Sequence, residues 1–379
     1  MNARPARLDI YRTAIPMRGF EHAAARRSLA EAVVVRLELA DGRAGWGETL
    51  PRPYVTGETL DSVVVDLETE IWPRFCIAPV APLPEQIEGR IVTAAACALD
   101  IARADATALV CTTRHRLAAR VTGVLGSADP ARTARRLRLM RWFGLRDFKL
   151  KLGFDDDVDA ANLQAVHRQI GTAVAAGRCT LRVDVNGGWS ADSTPRRVAE
   201  LRPFGVCVVE QPVYCPAEEL LALSRRCELP LMADESLLTE ADARTLAVEP
   251  QRVWWNLRLS KNGGLSRVVS LARLAGQHGV PYTLGCMVGE SSILSAAQRR
   301  ALELLCREGQ ETPPRFVEGN YGRLLLGDDL TKRSLRFGYG GRLRPLDGPG
   351  LGISVLPDRV ERYGRLVRSL APRETRGGD

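Results

Sequence analysis

Lysine is almost missing from this chain: Lys149, Lys151, Lys261 and Lys332 are the only four in 379 residues, and the other 49 of its 53 basic residues are arginine. Arginine keeps its proton at any workable pH, so a step that needs a nitrogen base has very few residues to draw on. Runs of eighteen or more apolar residues are also missing, which excludes a membrane-spanning helix, and charges interrupt Met1 to Met17 where a secretion signal needs an apolar core. The nine cysteines are odd in number and never spaced C-x-x-C. That argues against a disulfide framework and suits buried thiols in a reducing cytoplasm. Aromatics make up only 6% of the chain, and no Lys/Arg block is interleaved with them. The net charge of +8 therefore carries no nucleic-acid footprint and leaves only a general attraction for small anions.

What is present is a large apolar fraction, 45%, in a chain too long for one ordinary domain. An α/β barrel takes roughly 250 residues and leaves about 130 for a second unit. Alternating apolar residues at Leu8–Met17 and Glu31–Trp46, the latter turning at Asp41-Gly42, predict strands joined by a hairpin. Helical periodicity follows over 60–75 and 92–109, giving an α+β unit over 1–115. Eight short strands are then expected, at 119–125, 147–152, 180–185, 206–210, 231–233, 253–259, 281–285 and 315–318. They alternate with helices at 158–176, 194–201, 217–227, 240–247, 265–278 and 292–307. The expected fold is α/β: a TIM-like (β/α)7β barrel over 116–337, capped by the N-terminal unit, with 338–379 returning to pack on the cap.

The strand ends hold the chemistry. They read Lys149-Leu-Lys151, Asp184-Val-Asn186, Glu210-Gln-Pro, Asp234-Glu-Ser and Asn256-Leu-Arg258-Leu-Ser-Lys261. The C-terminal ends of parallel barrel strands share one mouth, so Asp184, Glu210 and Asp234 are expected to meet there. An all-oxygen donor set without His or Cys favours Mg²⁺, or Mn²⁺ in its place. Lys149 and Lys151 lie two apart and share a face, where mutual repulsion lowers their pKa and lets Lys151 act as a base. A divalent cation beside a lysine base suits removal of the α-proton of a carboxylate and stabilisation of the resulting enediolate.

With these motifs in order, and with Phe148-Lys-Leu-Lys-Leu-Gly153, Val183-Asp-Val-Asn-Gly-Gly-Trp189 and Gly348-Pro-Gly-Leu-Gly352, the chain resembles the enolase superfamily, in particular its muconate lactonizing enzyme subgroup. The resemblance spans almost the whole chain. It implies Mg²⁺ held by Asp184, Glu210 and Asp234, Lys151 as base with Lys149 tuning it, a small carboxylate substrate, two cap loops over the mouth, and a homo-oligomer. Where the subgroup presents a second lysine on the sixth strand, this chain has Arg258, with Lys261 three residues later. The eighth strand reads Val317-Glu318-Gly-Asn320, without the Asp-x-Asp of dipeptide epimerases, and Tyr282 to Val288 lacks the histidine of mandelate racemase. The expectation is therefore a cycloisomerase or dehydratase. Racemisation or epimerisation of an amino-acid derivative is the alternative if Lys261 reaches the substrate, and a metal-binding protein without activity is the alternative from another class.

Specificity is expected from the cap loops 18–27 and 50–59, with Arg18, Arg26, Arg27, Arg52 and Tyr54 as candidate contacts, and from Asn186 and Glu318 at the barrel mouth. Bland readings stand beside these: Arg52 as a surface cation, Lys261 as a solvated loop residue, Glu235 as a hydrogen-bonding support, and Glu290 as a cap for the helix that starts near Ser292.

Overall fold

The computed structural model describes residues 4–22, 25–108, 119–306 and 313–372. Apolar alternation in the N-terminal segment builds an antiparallel sheet whose long hairpin pairs Pro5–His22 with Ala25–Leu39, followed by Ala44–Thr49. Strand continues through Arg18–His22 and resumes at Ala25, so most of the expected 18–27 loop is strand. Its side chains beyond Arg18, those of Arg26 and Arg27 among them, lie outside the described residues. The expected helix 60–75 forms as Leu60–Asp66 and Trp72–Ile77, joined by a π-helical turn at Leu67–Ile71 that brings Pro73 into the first turn of the second piece. Thr93–Ala106, rich in small residues, packs so tightly on the third strand that a Cβ at Gly47 would lie 1.9 Å from the Ala98 carbonyl. Only glycine fits there.

Eight parallel strands follow: Gly123–Leu125, Asp147–Lys151, Thr180–Asp184, Val206–Glu210, Leu231–Ala233, Val253–Leu257, Tyr282–Leu284 and Phe316–Val317. Seven helices alternate with them, the first being Pro130–Trp142, an arginine-rich segment that the apolar periodicity does not reveal. Val121 bridges Val317 in parallel, and the Thr122 amide donates to the Val317 carbonyl at 2.8 Å. The sheet thus closes on itself into a (β/α)7β barrel. The boundary expected at 115/116 lies outside the described residues.

Period-two alternation sorts the barrel interior into layers. Val208, Met232, Trp254 and Phe316 form a dry plug toward the N-terminal ends of their strands. Two residues further along the same strands stand Glu210, Asp234, Asn256 and Glu318, all buried. At the C-terminal end of the chain, Gly364–Leu370 pairs antiparallel with Pro5–His22 and extends the cap sheet. The cap docks through one strand and its exit: Glu48 accepts from the Ser291 amide and hydroxyl, and the Leu50 amide donates to Ser260 Oγ. Both partners lie in loops after barrel strands, so the cap sits over the mouth.

Candidate active site

Parallel register sets the site. Lys151 pairs with Asp184, and Asp184 with Glu210, so three strand ends bring a cation and two carboxylates level with one another. Lys151 Nζ donates to Asn186 Oδ1 at 2.7 Å and to Asp184 Oδ2 at 3.1 Å. Asn186 reaches it from a left-handed backbone, φ 47°, at the turn that ends the third barrel strand. It orients the amine. Gln211, also at positive φ, links the next two strand ends: its Oε1 accepts from the Asp234 and Ser236 amides, and its Nε2 donates to Ser236 Oγ and the Val213 carbonyl. Asn256 Nδ2 holds Glu210 Oε1 at 2.8 Å. Gly285 is required beside it, because a Cβ there would lie 2.1 Å from Asn256 Oδ1.

Burial and carboxylates oppose each other at Lys149 and Arg258. Burial disfavours the charge of Lys149, but Glu210, Glu318 and Asp184 surround its ammonium at 2.8–3.3 Å and raise it well above the ordinary lysine value. The expected downward shift from its lysine neighbour is therefore overturned for Lys149; three anions outweigh one cation. Arg258 contacts Asp234 and lies 3.4 Å from Glu210 Oε1. Buried though it is, Asp234, Glu210 and Glu235 hold it firmly protonated. Asp184 is held well below the usual carboxylate range, against burial, by Lys151, Lys149 and Arg258. Burial and the charge of Asp184 push Glu210 up to about 7.

The structure brings Lys149, Lys151, Asp184, Asn186, Glu210, Asp234, Arg258 and Glu318 together. The remaining candidates are engaged differently. Lys261 is fully buried, donates to the backbone carbonyls of Asp234, Leu237 and Asn256 at 2.7–2.9 Å and lies 3.4 Å from Asp234 Oδ1, so it is not a solvated loop residue. Its ammonium serves as a rivet for three carbonyls. Arg52 is 3% exposed and donates to the carbonyls of Pro51, Glu31 and Val288, fastening the cap to the loop after the seventh strand. The surface reading of Arg52 fails for the same reason. Glu318 has both oxygens engaged below the mouth, by Lys149 and Arg182. Tyr54 is 41% exposed on the cap.

Glu235 departs from its expected supporting role. Both of its carboxylate oxygens are buried without a hydrogen-bond partner, and burial followed by the charge of Asp234 pushes it up to about 8. Glu290 accepts from the Met287 amide, while Ser291 and Glu48 cap the helix Ser292–Leu305. Tyr214 was not singled out from the sequence. Its ring covers Gly187, where a Cβ would lie 2.2 Å away, and burial followed by the charges of Glu235, Asp184 and Tyr54 pushes it up to about 12. Its position four residues after Glu210, in the loop leaving that strand, was the available signal.

Among the described residues, no three Asp, Glu, His or Cys side chains stand grouped as a metal ion requires. Lys149, Lys151, Arg258 and Lys261 neutralise the three strand-end carboxylates instead. The donor chemistry nevertheless fits a hard divalent cation. The carboxylates are oxygen-only and buried, and Asp234 Oδ1 accepts no hydrogen bond, although the Lys261 ammonium lies 3.4 Å from it. A cation held there would compete with the Arg258 guanidinium for Asp234.

A family model described as enolase C-terminal domain-like matches residues 131–359. The L-Lys-D/L-Arg epimerase of Methylococcus capsulatus is 31% identical, over 86% of this chain and 91% of its own. Muconate cycloisomerase 1 of Rhodococcus opacus is 28% identical, over 88% and 91% respectively. Among solved structures, the N-succinyl Arg/Lys racemase from Bacillus cereus superposes with a TM-score of 0.80 at 25% identity, over 98% of this chain and 100% of its own. The muconate lactonizing enzyme from Pseudomonas fluorescens gives 0.79 at 25% identity, over 96% and 100%. No helix among the described residues is long and apolar enough to cross a membrane.

Proposed function

The chain belongs to the enolase superfamily and is one of its enzymes, and from that premise we propose that it abstracts the α-proton of a small carboxylate with one base, Lys151, in a cycloisomerisation or a β-elimination. The observation that carries this reading is the pairing of a lysine with an arginine across the mouth. Lys151 is oriented by Asn186 and Asp184, and the opposing position holds Arg258, which cannot take up a proton. Arg258 stabilises negative charge as it develops. Lys261 is withdrawn from contention by its three carbonyls. Asp184, Glu210 and Asp234 would hold Mg²⁺, or Mn²⁺ in its place. When bound, that cation supplies two positive charges beside the substrate carboxylate. Tyr54 and Tyr214 line the approach and are the residues we assign to selecting the substrate's distal part. Eight free cysteines among the described residues suit a cytoplasmic location.

The experiment is exchange in D₂O. With Mg²⁺ and a panel of chiral carboxylates, one-base chemistry gives α-deuterium incorporation with retention of configuration. Exchange with inversion overturns the one-base reading. It favours the second reading, a racemase or epimerase of amino-acid derivatives, for which the epimerase and racemase names among the relatives speak.

The metal assignment has its own readout. Mg²⁺ at about a hundred times its dissociation constant should stabilise the protein by about 2.7 kcal/mol. Glu210→Gln should remove that Tm shift. A variant that responds to Mg²⁺ like the unaltered protein takes Glu210 out of the metal site.

A further inference from the structure

Lys149 is 2% exposed, and its ammonium meets three carboxylates: Glu318 Oε2 at 2.8 Å, Glu210 Oε2 at 3.1 Å and Asp184 Oδ2 at 3.3 Å. The other oxygen of Glu318 accepts from Arg182 Nη2 at 3.0 Å. Arg182 is itself fully buried, two residues before Asp184 on the same inward face. It also donates to Thr122 Oγ1 at 3.0 Å and Thr283 Oγ1 at 3.3 Å, with its guanidinium carbon 4.2 Å from the centre of the Phe316 ring. An arginine and a glutamate are thus sunk beneath the mouth, where desolvation makes charge expensive.

The metal reading above gives Asp184 and Glu210 to a divalent cation. Occupancy then takes two of Lys149's three anions and sets two positive charges beside its ammonium. Without a remaining anion, a buried ammonium so placed is expelled or keeps the metal out. We infer that Glu318, pinned by Arg182, is the standing counter-ion of Lys149, a positioning pair that lets this ammonium and a divalent cation share the barrel interior. The geometry is consistent in three respects. Glu318 makes the shortest of Lys149's contacts, it approaches from the eighth strand and not from the strands that present the three candidate ligands, and both its oxygens are already committed. The inference rests on the metal reading and replaces the expectation that Glu318 touches substrate.

The test is a thermodynamic cycle read as Mg²⁺ affinity of the full chain without substrate, by titration calorimetry and by the Tm shift. Glu318→Gln should weaken Mg²⁺ binding by at least about tenfold. Lys149→Met should bind Mg²⁺ as well as the unaltered protein or better. In the Lys149→Met background, Glu318→Gln should change affinity little, because no ammonium is left to neutralise. Equal weakening in both backgrounds, or none in either, overturns the inference: Glu318 is then ordinary scaffolding. Should Glu318→Gln alone fail to fold with Arg182 unpaired, the Arg182→Gln/Glu318→Gln double variant removes both charges of the lower pair and carries the same expectation. If the unaltered protein itself binds no Mg²⁺, the metal reading falls and the inference with it. If it binds and the cycle shows no coupling, the inference falls alone.

Discussion

Lys151→Ala should lower turnover on any substrate that exchanges its α-proton by about four orders of magnitude, the upper range for loss of a positioned base. Lys151→Arg should fare no better, since a guanidinium restores the charge but not a titratable nitrogen. The distinguishing measurement is Mg²⁺ binding. Lys151 Nζ lies 3.1 Å from Asp184 Oδ2 and competes for a proposed ligand, so Lys151→Ala should keep its fold by near-ultraviolet circular dichroism and show a Tm response to Mg²⁺ at least as large as before. Full exchange activity in Lys151→Ala would remove it as the base. Lost Mg²⁺ binding with lost activity would make it a structural residue.

Lys261→Met should destabilise the protein by about 3–5 kcal/mol, the cost of taking one partner from a buried charged network. The ammonium is enclosed, and the carbonyls of Asp234, Leu237 and Asn256 would lose their donor together. A methionine of similar length fills the space but donates nothing. The readout is thermal unfolding, with a fall of roughly 4–6 °C for a chain of this size. An unchanged Tm, together with loss of inversion in a substrate that the unaltered protein inverts, would return Lys261 to the mouth as a second base.

These two lysines show where sequence reasoning is strong and where it stops. The strand at Val206–Glu210 and the helices Thr194–Leu201 and Leu265–His278 were legible to the residue, because period and flanking Gly or Pro coincide there. That Asp184, Glu210 and Asp234 share one mouth was legible too, since closing a parallel barrel leaves the strand ends no other meeting place. Lys261 was not. Two of the three carbonyls that decide its fate, those of Asp234 and Leu237, follow the fifth strand, and no local pattern around residue 261 encodes them. Arg52 hides for the same reason, its acceptors lying at Glu31 and Val288. The stretch 18–27 reads as a loop because its polar residues mask a hairpin that continues through Arg18–His22. Lys149 was misjudged because the pairing with Lys151 is visible in the sequence, while the anions that surround its ammonium come from three other strands.

The cap is fastened at every second residue. Glu48 holds the start of the seventh barrel helix, the Leu50 amide reaches Ser260, and Arg52 reaches the Val288 carbonyl. A single residue inserted or deleted between 48 and 52 would put at least one of these three tethers out of step with its partner. Length variation in this stretch is thereby closed to the lineage as a source of new substrates. Divergence is steered instead to substitutions at the unfastened aromatic positions, Tyr54 and Tyr214, which can be exchanged without disturbing the tethers that seat the cap.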